Sequence, residues 1–284
     1  MLKNKIIKKI KKCLFERPYF GTSDVRIGSN VQFGKNVVFN CKRVRIGDGV
    51  IFNNNIIINS DVFEIGDYAT IYDYCFFPGP GILNIGHNFW LGTSSIIDAQ
   101  GKTIIGNNVG IGAHSQLWTH MKFGDVMYGC RFHSSKPLII EDDVWFVGHC
   151  LVSPVKIGTR SIAMLGSVIT KDMKADHVYA GIPAIDITQK VGSQFRFSTI
   201  DERVSYMQER LRTFADIYKV HNIDDILKIV TNSEQMSSIS KNATIFNVAD
   251  RTYFKKHTKL EYQFMRFLLP DAKFIPIKKE TITK

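Results

Sequence analysis

Two histidines, His120 and His133, stand in the segment LWTHMKFGDVMYGCRFHSSKPLIIEDDVWFVG, which begins at Leu117. An imidazole titrates near neutral pH, so it can take a proton from an attacking alcohol or amine and return it to a leaving group. A histidine alone in a loop is ordinarily just solvated. Residue type therefore does not decide the matter, and the question becomes what positions these two.

What positions them is an interrupted rhythm. Ile-Gly recurs at Ile27, Ile46, Ile65, Ile85 and Ile105, at intervals of 19, 19, 20 and 20 residues. Within each interval an apolar residue returns after six and again after twelve, as in Ile46/Phe52/Ile58 and Ile105/Ile111/Leu117. Four residues after each of the first two comes a compact or β-branched residue, such as Val50 and Ile56 or Ala69 and Cys75. Gly, Asn, Asp and Ser lie between. A period of six fits neither a helix nor one long strand. It fits a short strand plus a turn, three to a coil, with Gly, Asn and Asp supplying φ > 0 at the corners. Stacked coils bury one continuous apolar column, as solenoids do.

The rhythm breaks once. From Ile105 to its equivalent Ile140 is 35 residues, so one coil has gained about 17. The extra stretch, residues 118–138, has no hexads and must leave the scaffold as a surface excursion. Long unstructured connections are usually functional or disordered. Trp118, Tyr128 and Phe132 make this one too aromatic for a disordered linker.

Composition sets the bounds. The 284 residues carry 37 Lys+Arg against 26 Asp+Glu, a formal charge of +11, which favours anionic partners. The basic residues are scattered or N-terminal and form no nucleic-acid motif. Five cysteines are widely spaced with no CxxC pair, which fits a reducing cytoplasm and argues against a disulfide framework. No apolar run is long enough for a transmembrane helix, and the start MLKNKIIKKIKKCLF lacks the apolar region of a secretory signal.

The stretch IIEDDVWFVGHCLVSPVKIGTRSIAMLGSVITKDMKADHVYAGIPA, with its Val-Trp, Pro turn, Ile-Gly, GSVITKD and GIPA, closely resembles the closing coils of the hexapeptide-repeat acyltransferases. The resemblance covers residues 25–185. It implies a left-handed parallel β-helix, acetyl-coenzyme A as acyl donor, no metal, and a homotrimer with active sites between subunits. In the sugar O-acetyltransferase branch a catalytic histidine stands just past the last hexad, which implies His120 as general base. By the same carry-over, Trp145 and Gly148 flank the pantetheine arm, Leu165 and Gly166 line its path, and Thr170 and Lys171 reach the nucleotide end. Asp98 aligns with a hydroxyl-binding acid, and Trp118 and His133 are further candidates for acceptor contact. Two departures stand out: a small residue is usual where Leu165 stands, and the Gly usual after the Pro154 turn is absent. Some hexapeptide-repeat proteins are zinc carbonic anhydrases, whose three converging imidazoles His114, His120 and His149 could supply. Yet His114 sits at a turn position six residues before His120, and the closing motifs are of the acyltransferase type.

The two ends differ from the coils. Residues 1–24 carry six lysines among residues 3–12, with Ile6, Ile10 and Leu14 at helical spacing. This predicts a basic amphipathic helix that either caps the solenoid or lies on an anionic membrane. Residues 186–284 form an extension, predicted to be mainly helical. Thr199…Glu202 reads as a capping box opening a helix, IDDILKIV and KLEYQFMRFLL as further helices, ATIFNVA and AKFIPI as strands. The expectation is an acetyl-coenzyme A-dependent O-acetyltransferase acting on a sugar hydroxyl of a surface polysaccharide, lipopolysaccharide or precursor, in the cytoplasm or at the inner membrane face. The alternatives are an N-acetyltransferase on a nucleotide-linked amino sugar and a non-catalytic hexad scaffold.

Overall fold

The computed structural model describes residues 17–238 and 243–277, with no side-chain description for 237 and 238. The basic helix expected over residues 3–12 lies outside the described residues. The chain divides into two compact units, Met1–Phe195 and Arg196–Lys284.

The first unit is the three-sided parallel β-helix that the hexads imply. One face stacks Val25–Ile27, Ile82–Ile85, Thr103–Ile105, Leu138–Ile140 and Lys156–Ile157. The ten-residue strands Val37–Ile46 and Ile56–Ile65 turn a corner, ending on this face and starting on the third. The second face runs from Gln32–Phe33 through Trp90–Leu91, Gly110–Ile111 and Trp145–Phe146 to Val178–Gly181. The third continues through Phe76–Phe77, Ile96–Ile97, Gln116–Leu117, Leu151–Val152 and Val168–Ile169. After the cis Ile182–Pro183 bond, Ala184–Asp186 pairs antiparallel with Val178–Gly181 and closes the stack. The chain then stays with the coils: the Thr188 hydroxyl accepts from Val178 N (2.8 Å), and the Gln194 amide donates to the carbonyls of Asp143 and Arg160 (3.1 Å each).

From Phe39 to Leu117 the hexad residues are buried. Ile71, Leu91, Ile111 and Phe146 form one buried column in register, and Ile58, Phe77, Ile97, Leu117 and Val152 another. The compact residues fill the corners, where Cys75, Ser95, Ser115 and Cys150 are all buried. The corners themselves are left-handed. Asn36, Asn55, Asn88, Asn108, His114, Asp143 and His149 have φ between 51° and 59°. Amide side chains bridge them coil to coil, Asn88 to Asn108 (2.9 Å) and Asn108 to Asp143 (3.0 Å).

The recurring Ile-Gly has a different origin from the one its turn-like composition suggests. These glycines do not sit at positive φ. A Cβ on Gly47 would lie 2.6 Å from the Gly66 carbonyl carbon, and one on Gly106 2.8 Å from the Asp142 amide nitrogen. The coils approach too closely for any side chain at that step. The glycine is a spacing requirement.

The second unit is built around a four-stranded sheet, Leu227–Val230, Thr244–Asn247, Thr252–Phe254 and Ile275–Ile277, with helices Ile200–Tyr218 and Lys259–Leu268. The Thr199–Glu202 capping box is present in both directions, and Thr258 caps the later helix. IDDILKIV differs from expectation: only Ile223–Ile226 is helical, and the rest is the strand Leu227–Val230, which pairs parallel to Thr244–Asn247. Its β-branched end meets a strand partner that local pattern does not reveal. No helix among the described residues is long and apolar enough to cross a membrane.

Truncating a column residue leaves a hole the fixed coil spacing cannot close, so Leu91→Ala should cost about 2–5 kcal/mol in urea unfolding. The corner thiols give a second test. Burial pushes Cys75 from 9.0 up to about 11 and raises Cys41 and Cys150 as well, whereas Cys130 is partly accessible. Of these four, native protein at pH 8 should be labelled at Cys130 alone. Because the folded Cys75 value is raised, its contribution to stability is full below about pH 9 and is lost as pH climbs to about 11. A urea series across that range reads the decline.

Candidate active site

Leu117, the last inward hexad residue before the break, is fully buried between Ile97 and Val152. The chain then leaves the coil. His120–Met121 pairs antiparallel with Ser134–Ser135, and Lys136 N donates to Thr119 O (3.0 Å). The excursion is thus a hairpin closed at its base, and the coil resumes in register, Ile105 against Ile140. Its tip is apolar and open to solvent, with Phe123 102 % and Met127 95 % exposed.

The stem delivers His120 onto Asp98. Asp98 follows the inward Ile97 in the preceding coil, and its side chain is fully buried. His120 Nδ1 lies 2.8 Å from Asp98 Oδ2. The same oxygen accepts from the Thr119 amide (2.9 Å) and the Thr119 hydroxyl, while Oδ1 accepts from Gln100 N (3.2 Å). The Thr119 hydroxyl in turn accepts from Gly101 N (2.8 Å). A carboxylate has no proton to give, so Nδ1 donates in this contact, and in the neutral ring the lone pair then stands on Nε2. The His120 side chain is 26 % exposed, open enough for a reactant to reach. Trp118 stands edge-on to it with ring centroids 6.2 Å apart, its indole N–H donating to Gln116 Oε1 (3.3 Å).

Asp98, the expected hydroxyl-binding acid, lies inside the chain. With no exposed surface and both oxygens engaged inside the chain, its geometry is that of a group holding His120 and the hairpin base. Thr119 belongs to the same cluster and is not singled out by sequence. It is an ordinary residue between Trp118 and His120, and only coil stacking brings it to Asp98.

The other candidates fall in separate places. His133 is exposed and turned back on its own loop, Nε2 lying 2.9 Å from the Cys130 carbonyl. His114 and His149 occupy equivalent corners of successive coils and stack at 4.9 Å, apart from the Asp98–His120 pair. Among the described residues no group of three or more His, Cys, Asp or Glu is placed to hold a metal. Trp145 is exposed on the second face. Gly148 (φ 147°) and Gly166 (φ 72°) meet at one corner, where Gly166 N donates to Gly148 O (2.9 Å). Leu165 is exposed beside them, 3.4 Å from the point a Gly148 Cβ would occupy, and Thr170 and Lys171 follow, both exposed. Of these six, Trp145, Leu165, Thr170 and Lys171 are exposed, Gly166 is half-buried and Gly148 is buried.

No family model matches the chain. It is similar to the galactoside O-acetyltransferase of Escherichia coli K12, 31 % identical over 104 residues, which is 36 % of this chain and 51 % of that one. It is also similar to a putative acetyltransferase of Saccharomyces cerevisiae, 33 % identical over 103 residues, 35 % of this chain and 52 % of that one. The chain thus spans about half the length of the curated relatives it matches. Among solved structures, an N-acyltransferase of Bacillus cereus, determined with a dTDP-linked amino sugar and coenzyme A, superposes with a TM-score of 0.39 at 15 % identity, over 72 % of this chain and 96 % of that one.

Replacing Asp98 tests the cluster. Asp98→Asn keeps the volume but turns an amide donor toward the Thr119 and His120 N–H groups. The fold should survive with a loss of about 1–3 kcal/mol in denaturant unfolding, and nitrogen NMR of the His120 ring should show Nδ1 losing its fixed proton. Across its coils the chain is built of stacked six-residue repeats, and its matched stretch is similar to a galactoside O-acetyltransferase.

Proposed function

We propose that the protein is an acetyl-coenzyme A-dependent O-acetyltransferase acting on a sugar hydroxyl, with His120 as general base and Asp98 as its positioning residue. The observation that carries this reading is the bond between His120 Nδ1 and the buried Asp98 carboxylate. It fixes the tautomer in which Nε2 can accept a proton. In the reaction the acceptor hydroxyl attacks the thioester carbonyl while Nε2 takes the hydroxyl proton. The tetrahedral intermediate then collapses, the carbon–sulfur bond breaks, and the imidazolium returns the proton to the departing thiolate. Transfer is direct, and no acyl group rests on the protein.

The exposed Trp145, Leu165, Thr170 and Lys171 support the coenzyme side of the reading. A Cβ on Gly166 would meet nothing within 4 Å, which leaves room at that corner for a pantetheine arm, and the Lys171 ammonium suits a phosphate. The relatives' printed activities support a sugar as acceptor. A surface polysaccharide or lipopolysaccharide precursor is the acceptor class we favour. The apolar outward residues of the third face, Ile57, Phe76 and Leu151, and the open hairpin tip suit burial against further copies, in keeping with a homotrimer.

The test is thiol release from acetyl-coenzyme A against pooled surface glycans. His120→Ala should lower glycan-dependent release about a hundredfold or more at unchanged coenzyme binding. Unchanged release would move the base elsewhere, and release seen only with a nucleotide-linked amino sugar would replace the hydroxyl by an amine. Lys171→Ala should raise KM for acetyl-coenzyme A roughly tenfold with little change in kcat, as loss of one charge-assisted contact would.

A further inference from the structure

The outward residues of the three faces differ in kind. The first face carries Arg26, Arg45 and Glu64 before turning aliphatic at Ile104 and Ile139, and the third is largely aliphatic. The second carries aromatic rings. Trp90 pairs in register with Gly110, which pairs with Trp145 in the next coil. Both indoles are exposed, Trp90 41 % and Trp145 46 %, and the residue between them has no side chain. The two tryptophans are thus two strand spacings apart, about 10 Å along the stack, and the Trp145 ring leans back over the glycine, its Cδ1 3.4 Å from where a Cβ would stand. On the other side Tyr72 packs against Trp90 with centroids 5.3 Å apart.

Next to Tyr72 is a carboxylate. Asp73 takes its bonds from one side: Asn54 N and Nδ2 donate to Oδ1 (3.1 and 2.8 Å), while Oδ2 has only a long contact from Asn53 Nδ2 (3.4 Å). The Asn54 side-chain bond holds the Asp73 carboxyl below its usual range, so it is ionised at neutral pH with acceptor capacity left on Oδ2. An open aromatic shelf, with the Trp145 ring beside the glycine and an ionised acceptor next to Tyr72, has a recognisable complement. It suits a flat ligand with C–H bonds on its faces and hydroxyl donors around its edge. Aliphatic protein side chains would leave the carboxylate unpaired, and a phosphate would be repelled by it.

We propose that Tyr72, Asp73, Trp90 and Gly110 form a saccharide-binding shelf, on which a sugar ring of the acceptor stacks against Trp90 and donates a hydroxyl to Asp73. This rests on the reading of the protein as a sugar acyltransferase and extends it. The shelf covers two strand spacings from the Tyr72 coil to the Gly110 coil, about 10 Å, room for more than one ring. The acceptor is therefore an oligosaccharide segment, and the rings beyond the acylated one contribute to its binding.

The experiment is direct binding, without coenzyme, to an array of defined neutral and acidic oligosaccharides. The best-bound tetrasaccharide and its monosaccharide unit are then titrated by tryptophan fluorescence. The tetrasaccharide should bind more tightly than the monosaccharide, Trp90→Ala should weaken it roughly tenfold, the scale of one lost aromatic contact, and Trp90→Phe should restore most of that. Asp73→Asn should weaken it as well, and all three variants should bind coenzyme A like the wild type. Undiminished tetrasaccharide binding by Trp90→Ala overturns the shelf. So does weakened coenzyme binding, or dissociation of an oligomer in sedimentation, since either gives Trp90 another occupant. No saccharide binding with coenzyme A still bound also overturns the shelf but spares acyl transfer. Loss of both kinds of binding by wild type overturns the acyltransferase reading itself.

Discussion

The spacing between successive backbone turns governs everything else in the first unit. Parallel ladders hold neighbouring coils about 4.8 Å apart, and every residue is judged by whether it tolerates that distance. Ile, Leu and Phe satisfy it by stacking inward. Asparagine satisfies it at the corners by accepting a left-handed backbone and passing a hydrogen bond to its neighbour, as from Asn88 through Asn108 to Asp143. Glycine satisfies it after each Ile by having nothing to collide. The same spacing converts sequence separation into proximity, since residues about 20 apart become nearest neighbours.

That conversion builds the candidate site. Asp98 and Thr119 are 21 residues apart and share hydrogen bonds because one coil lies on the next. A carboxylate with no solvent contact is costly unless its lone pairs are filled. Here they are filled by Thr119 at the base of the hairpin, by the Gln100 amide and by the ring that does the proposed chemistry. The burial that makes Asp98 unavailable to a ligand is what makes it effective in fixing His120. The site and the departure point of the hairpin are therefore one structural element.

Much of this was legible in the order of residues, and the limits have physical causes. The hexads announced the coils because each inward residue reports its own burial. The break announced the excursion because a missing period is visible without knowing its shape. His120 and Asp98 stood out through the family resemblance. The hydrogen bonds between them did not, since they form only when one coil is laid over the next. Trp90 was hidden for the same reason: it is one aromatic residue before an inward leucine until Gly110 and Trp145 are seen in register with it. In the second unit, Leu227–Val230 continues a short helix in sequence and becomes a strand only through Thr244–Asn247.

The in-register return of the chain after the hairpin has an evolutionary reading. Because Ile140 resumes on Ile105 as though nothing had intervened, the length and content of the intervening segment are decoupled from the integrity of the stack. Only Thr119, His120 and the short stem are tied to the scaffold. The rest can be exchanged, lengthened or trimmed without disturbing a single coil. A lineage carrying this architecture could change what approaches His120 by grafting new hairpins onto an unchanged base, and a protein engineer could do the same.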